Sequence, residues 1–209
     1  SLPLGRGLGS SAALCVAILR AKAEMNNLQL SNEQLQRDSL DLERIFHGNP
    51  SGIDNAVAAE RGVFLFTKAD GPSRIELPDT TVVILDSMEQ GNTKAMVEGV
   101  ARELNANRHH LTILGEITES ALTCLNDAEA LGSLMNRAHV HLRAIGVSNT
   151  KLDDLVNFSI ENGAVGAKLS GAGGGGVVVA LTPGDGERLI AEASARGIRH
   201  YKCTLSSRI

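Results

Sequence analysis

Two glycine-rich loops with unlike sequels limit what this chain can fold into. The first, PLGRGLGSSAALCVAILRAKAEM from Pro3, runs straight into apolar residues at helical spacing. The second, KLSGAGGGGVVVAL from Lys168, runs into a β-branched stretch that predicts a strand. A glycine turn that ends at a helix start aims unpaired backbone N–H groups and the positive end of the helix dipole at one point, which favours an anion there. The expected anion is phosphate, because Ser10 and Ser11 add hydroxyls where nucleotide phosphates and Mg2+ would sit. In the second loop, the glycines Gly173–Gly176 ahead of a buried strand carry a heavy entropic cost, which close backbone approach to a ligand would justify. Neither loop is a standard cradle. A strand follows the second, so the dinucleotide fingerprint fails, and GK[ST] occurs nowhere.

The rest of the sequence narrows the class. With 209 residues and 43% hydrophobic content, the chain can bury a real core. A net charge of -4, 2% aromatic residues and scattered Lys and Arg argue against a nucleic-acid surface. Arg20 interrupts the longest apolar stretch, so no membrane span is expected. Cys15, Cys124 and Cys203 lie far apart without a CxxC pair and read as reduced core thiols, which suggests a cytoplasmic protein.

The local signals outline an α+β chain. Ser10 and Ser11 are expected to cap a helix through about Asn26, and Ser31 with Gln34 forms a capping box for a second helix toward His47, stopped by Gly48. Ser51 is expected to cap a short helix with Asp54 in its first turn. Strands are predicted from Gly62 and from Thr80, and the turn-rich segment TKADGPSRIELPD between them reads as a boundary dividing domains 1–77 and 78–209. Helical spacing follows near 92–107, 109–127, 129–145 and 151–162, then strands at AKLS and VVVAL, a helix from Gly184 to about Arg196, and a final strand IRHYKCTL.

The segment LDLERIFHGNPSGIDNAV supplies two carboxylates, Glu43 and Asp54, that a chain reversal would bring to one cleft. Phosphoryl transfer to an alcohol needs one carboxylate on the metal and another near the attacking hydroxyl. On spacing alone Glu43 also fits a solvated helix face, and Asp54 a capping-box acid three residues after Ser51. His47 fits a helix end, His109, His110, His139 and His141 fit surface or packing positions, and Thr93 fits a helix cap with room for a substrate or phosphate contact.

PLGRGLGSSAA, HGNPSGIDNAV and KLSGAGGGG, in this order, resemble the three motifs of the GHMP small-molecule kinases, and the middle one is similar to that of the family's mevalonate-phosphorylating branch. GNTKAMVEGV and YKCTLSSRI carry the likeness over the rest of the chain. The resemblance implies a partial ribosomal-S5-like N-terminal domain and a ferredoxin-like C-terminal one. It implies ATP, bound by Gly5, Arg6, Gly7, Leu8, Gly9, Ser10 and Ser11, with Mg2+ on Ser11 and Glu43 and Asp54 facing the primary hydroxyl of mevalonate. Thr93, Gly171, Ala172 and Gly173 would border substrate or phosphate. Arg6 departs from the small residues usual in the first loop. Family members also carry an upstream region with strands, pocket residues and an active-site Lys. Such a region is expected before Ser1, since Lys22 lies on the wrong side of the loop to replace that Lys. A sugar or homoserine acceptor, or a catalytically inactive nucleotide-binding piece, are the alternatives. The family's habit of dimerising suggests a homodimer.

Overall fold

The structure is a computed structural model and describes residues 7–47, 50–67 and 69–206. These residues form two compact units, 9–77 with Ser206 in one and 78–205 with Gly7 and Leu8 in the other. Gly48, expected as a helix stop, lies outside the described residues, as do Gly5 and Arg6.

The first unit contains α1 (Ser10–Met25), α2 (Asn32–His47), α3 (Ile53–Glu60) and the antiparallel hairpin β1 (Val63–Thr67) and β2 (Gly71–Ile75). The capping box forms as expected. Ser31 N–H donates to Gln34 Oε1 at 2.8 Å, and Gln34 N–H donates to Ser31 Oγ at 3.2 Å. Val16, Leu35 and Ala59 make a small core where the three helices meet, and Arg20 closes it by donating to the Ala59 carbonyl at 2.7 Å.

The second unit is larger. After β3 (Thr80–Asp86) come four helices, α4 (Thr93–Arg102), α5 (Leu104–Leu122), α6 (Ala128–Ala144) and α7 (Thr150–Glu161). Then follow β4 (Gly166–Ser170), β5 (Val177–Leu181), α8 (Glu187–Ala195) and β6 (His200–Leu205). The sheet order is β4-β5-β3-β6 with every neighbour antiparallel. So β3 and β4 run the same way with β5 inserted between them, the split βαβ arrangement of a ferredoxin-like fold. Alternation along the strands sends Val83, Leu85, Ala167, Leu169, Val178 and Ala180 to one face. There they pack with Leu152, Leu155, Val156 and Phe158 of α7 and Leu189 and Ala193 of α8.

The outer edge of β4 is covered by side chains of a helix. Gly132 brings α6 so near that a Cβ there would lie 2.6 Å from the Val165 carbonyl. One turn later Asn136 behaves like a strand residue, its Nδ2 donating to Val165 O at 3.2 Å and its Oδ1 accepting from Ala167 N–H at 2.9 Å. Edge groups that would otherwise seek a partner are thereby satisfied.

Several local expectations are corrected. Ser10 and Ser11 do not cap α1. Gly9 does, at φ 64° and ψ 23°, a left-handed conformation that glycine reaches without penalty. Gly52, not Ser51, caps α3, and Asn92, not Thr93, caps α4 by accepting from Ala95 N–H at 3.0 Å. The expected 92–107 helix ends earlier, because the backbone leaves the helical region at Glu103, φ -101° and ψ 27°, and α5 starts there without any glycine or proline to announce it. The turn-rich segment holds a strand, β2, in which Pro72 is tolerated because, among the described residues, β2 pairs with β1 alone and no second neighbour needs its missing N–H.

Replacing Asn136 with Ala is expected to lower stability by roughly 1–3 kcal/mol, since it leaves Val165 O and Ala167 N–H unpaired beneath a helix. Urea denaturation checks this, and a midpoint unchanged from the parent chain would mean that water reaches the strand edge.

Candidate active site

In the first unit, the start of α1 is where the chemistry collects. Because Gly9 takes the cap position, Ser11 is free to point away from the helix end, and its Oγ donates to Glu43 Oε1 at 2.7 Å. Glu43 comes from α2 and is only 5% exposed, so the solvated-face reading fails. A carboxylate buried to that degree requires polar partners, and the Ser11 hydroxyl is one. One turn along α1, the Cys15 thiol is pushed above its ordinary pKa by burial and then by the Glu43 charge, which keeps it protonated and unreactive. All three cysteines are free thiols. Cys15 is buried as expected, but Cys124 and Cys203 are only half-buried.

Asp54 stands in the first turn of α3. It makes no capping box with Ser51, whose hydroxyl accepts from Ile53 N–H at 3.4 Å instead. Its carboxyl group lies against Gly9, where a Cβ would come within 3.2 Å of Asp54 Cγ, so any other residue at position 9 would crowd the carboxylate. Asp54 is exposed, yet neighbouring protein displaces part of the water around its carboxyl. Loss of hydration raises its pKa, and the negative charge of Glu43 raises it further. The two carboxylates thus sense each other across the start of α1. The next residue, Asn55, is 1% exposed and ties α3 to α2 by donating to Ser39 Oγ at 3.1 Å.

In the second unit, the two glycine loops touch. A Cβ on Gly7 would lie 3.1 Å from the Ser170 carbonyl and 3.3 Å from Gly171 Cα, so the backbones approach as only glycines allow. The run Gly173–Gly176 has a reason not anticipated from the sequence. At φ 86°, a Cβ on Gly173 would fall 2.0 Å from the Val147 carbonyl, and one on Gly91 would fall 2.5 Å from the Gly173 carbonyl. The protein's own backbone, before any ligand, demands these glycines. Gly174 N–H donates to Val147 O at 2.8 Å and Gly176 N–H to Glu89 O at 2.9 Å, which ties the loop down. Ala172 is half-buried in this loop, and Thr93 is exposed in the first turn of α4, two residues after Gly91.

Ser10, Ser11, Glu43 and Asp54 therefore belong to the first unit, and Gly7, Leu8, Thr93, Gly171, Ala172 and Gly173 to the second. Among the described residues no cluster of three or more His, Cys, Asp or Glu is arranged to hold a metal, and no helix is long and apolar enough to cross a membrane. His139 is a packing residue, as expected, but one with specific polar partners. It is 7% exposed and hydrogen-bonded through both ring nitrogens, to Asp153 and to Leu169 N–H. The sequence signal, Gly132, Asn136 and His139 along one α6 face, consists of residue types too ordinary to stand out.

Residues 1–63 match the GHMP kinases N terminal domain and residues 119–199 the GHMP kinases C terminal domain. The chain belongs to the GHMP kinase family. A relative of this GHMP kinase, the mevalonate kinase of Pyrococcus abyssi (strain GE5 / Orsay), is 36% identical over 203 residues, covering 92% of this chain and 60% of its own length. The crystal structure of L. major mevalonate kinase in complex with R-mevalonate superposes with a TM-score of 0.88 at 28% identity, over 96% of this chain and 66% of that one. The Methanococcus jannaschii mevalonate kinase gives 0.89 at 25% identity, over 98% and 66%. The chain thus spans about three fifths of the length of the curated relatives it matches. The α+β fold read from the sequence is the fold these kinases share.

The pKa of Asp54 sets a pH dependence. A carboxyl whose pKa is raised on folding stabilises the fold below its unfolded value of about 3.9, and the contribution is lost as pH rises through the folded value. At neutral pH Asp54→Asn is therefore expected to raise the thermal midpoint. Glu43→Gln is expected to shift the Asp54 titration, followed by carboxyl-carbon NMR, to lower pH. An unmoved Asp54 midpoint in that variant would contradict the coupling.

Proposed function

We propose that this GHMP kinase takes part in the ATP-dependent phosphorylation of the primary hydroxyl of mevalonate, giving 5-phosphomevalonate and ADP in the cytoplasm. The observation that carries the reading is the Ser11–Glu43 pair at 2.7 Å beside an Asp54 whose carboxyl holds its proton more tightly than usual.

The donor set fits a hard divalent cation. Ser11 Oγ and Glu43 Oε1 are two adjacent oxygens, the ligand type that Mg2+ prefers, with phosphate oxygens and water to complete its shell. Mg2+ held there would offset negative charge on the transferred phosphoryl group. Gly5 to Ser11 would bind the nucleotide phosphates, the α1 start capped by Gly9 supplying backbone N–H groups and the positive end of the helix dipole. Asp54 orients the acceptor hydroxyl and takes its proton, a role favoured by a pKa displaced toward neutrality. Thr93, Gly171, Ala172 and Gly173 border the acceptor and the transferred phosphate, with a homodimer as the working assembly.

The test is ADP release with mevalonate, galactose and homoserine as acceptors, paired with calorimetry of Mg-ATP binding. Turnover is expected with mevalonate, and Asp54→Asn is expected to reduce it by about 10²–10⁴-fold while Mg-ATP binding survives. Galactose or homoserine turning over faster than mevalonate would overturn the acceptor, and full turnover in Asp54→Asn would overturn the role of that carboxylate. Ser11→Ala is expected to raise the Mg2+ concentration needed for half-maximal nucleotide binding, since one of the two protein oxygens is removed.

A further inference from the structure

The second glycine loop is held by a group of side chains that the reaction itself does not use. Asp153, in the first turn of α7, is the centre of the group. Its Oδ1 accepts from His139 Nε2 at 3.1 Å and from Ser148 Oγ at 2.6 Å, and its Oδ2 pairs with Arg143 Nε at 3.2 Å. His139 Nδ1 accepts from Leu169 N–H at 3.4 Å. That acceptor role requires Nδ1 to be bare, so the ring proton sits on Nε2, where Asp153 receives it. The Leu169 carbonyl accepts from Lys168 Nζ at 3.0 Å. Both polar groups of the Leu169 backbone are thus held by side chains, two residues before Gly171 meets Gly7. The junction between α6 and α7 also holds the far limb of the loop, because Val147 O accepts from Gly174 N–H at 2.8 Å. Asn149 Nδ2 adds a bond to Glu89 Oε2 at 3.0 Å, and the Glu89 carbonyl receives Gly176 N–H at 2.9 Å.

We propose that His139 is a positioning residue. Seated by Asp153, its neutral imidazole clamps the end of β4 and so fixes the placement of the Gly171–Gly173 backbone toward phosphate or acceptor; the reaction named is the one proposed above. The imidazole substitutes for a neighbouring strand at the last edge position before the loop, as Asn136 does one step earlier. Unlike Asn136, it can titrate. A proton added to Nδ1 would face the Leu169 N–H, donor against donor, and the clamp would open.

The charged groups around the ring set when that happens. Burial disfavours the imidazolium and is the largest influence, Asp153 from α7 opposes it, and Lys168 from β4 and Arg143 from α6 add to it, with a net lowering of the pKa. The clamp is therefore closed at neutral pH. A base whose pKa falls on folding contributes stability above its unfolded value, about 6.5, and that contribution is lost as pH falls from there through the folded value.

The experiment compares the parent chain with His139→Asn and His139→Ala. Asn places an oxygen near the Nδ1 position and cannot be protonated in this range, so it keeps the acceptor without the switch. Amide hydrogen exchange read by NMR, expressed as protection relative to the unfolded chain, is expected to drop by roughly tenfold at Leu169 in His139→Ala at pH 7, with a smaller drop at Gly174. In the parent chain the same drop is expected on acidification below the ordinary imidazole range, and in His139→Asn it is expected to vanish. With ATP and mevalonate, the parent's KM is expected to rise on the acid side with little change in kcat, and His139→Asn to flatten that rise. Unchanged Leu169 protection in His139→Ala overturns the clamp. An acid rise in KM that persists in His139→Asn overturns the positioning role. The protection factors decide the clamp even if no phosphoryl group reaches mevalonate, so failure of the acceptor assignment and failure of this inference are told apart.

Discussion

The bond between Ser11 and Glu43 is the constraint from which the first unit's chemistry follows. A carboxylate that is 5% exposed is costly unless it is hydrogen-bonded, and here the donor comes from the first turn of another helix. The bond therefore fixes how α1 and α2 meet at that end. It also leaves a negative charge near Asp54 and Cys15, with opposite usefulness. On the exposed Asp54 it adds basicity, and on the buried Cys15 it suppresses the thiolate. Loss of hydration is the larger cause of both shifts and the charge at Glu43 adds to each, while exposure leaves Asp54, and not Cys15, accessible to a reactant.

Glycine acts in both units chiefly by being small. Gly9 gives Asp54 room, Gly7 and Gly171 let two loops meet backbone to backbone, and Gly132 lets α6 approach the edge of β4. Of the reasons that sequence suggests for such residues, tight helix entry applies at Gly9, where φ is 64°. At Gly173 the cause is a carbonyl of the chain itself. A backbone already packed on its own neighbours loses little further freedom when an anion arrives, which is what a preorganised phosphate site needs.

How much of this was legible in the sequence depended on how far apart the interacting groups lie along it. The Ser31–Gln34 box was readable because both partners are three residues apart and of the right type. The alternation in TTVVILD and VVVAL gave the central strands, and the α+β class came with them. The start of α1 is legible but its cap is not, because hydroxyl residues usually outrank glycine at that position. The break at Glu103 carried no signal, since leucine and asparagine after it are compatible with a continuing helix. Glu43 and Asp54 were picked out by the segment they share, whereas Ser11 reaching Glu43 instead of capping its own helix is a contact 32 residues away that no local rule contains. Asn136 and His139 were invisible for the same reason, for their partners lie on a strand about 30 residues on.

The side-chain covering of β4 has a consequence for growth of the sheet. An open strand is a template on which a foreign chain can anneal, but here the imidazole and amide of α6 occupy the rungs, and any newcomer would have to evict an entire helix. Among the described residues the opposite border, His200–Leu205, has no further strand beyond it, and Lys202 lies within it as a charged deterrent. Lateral recruitment of another polypeptide into this sheet is thus one-sided, confined to the flank of β6.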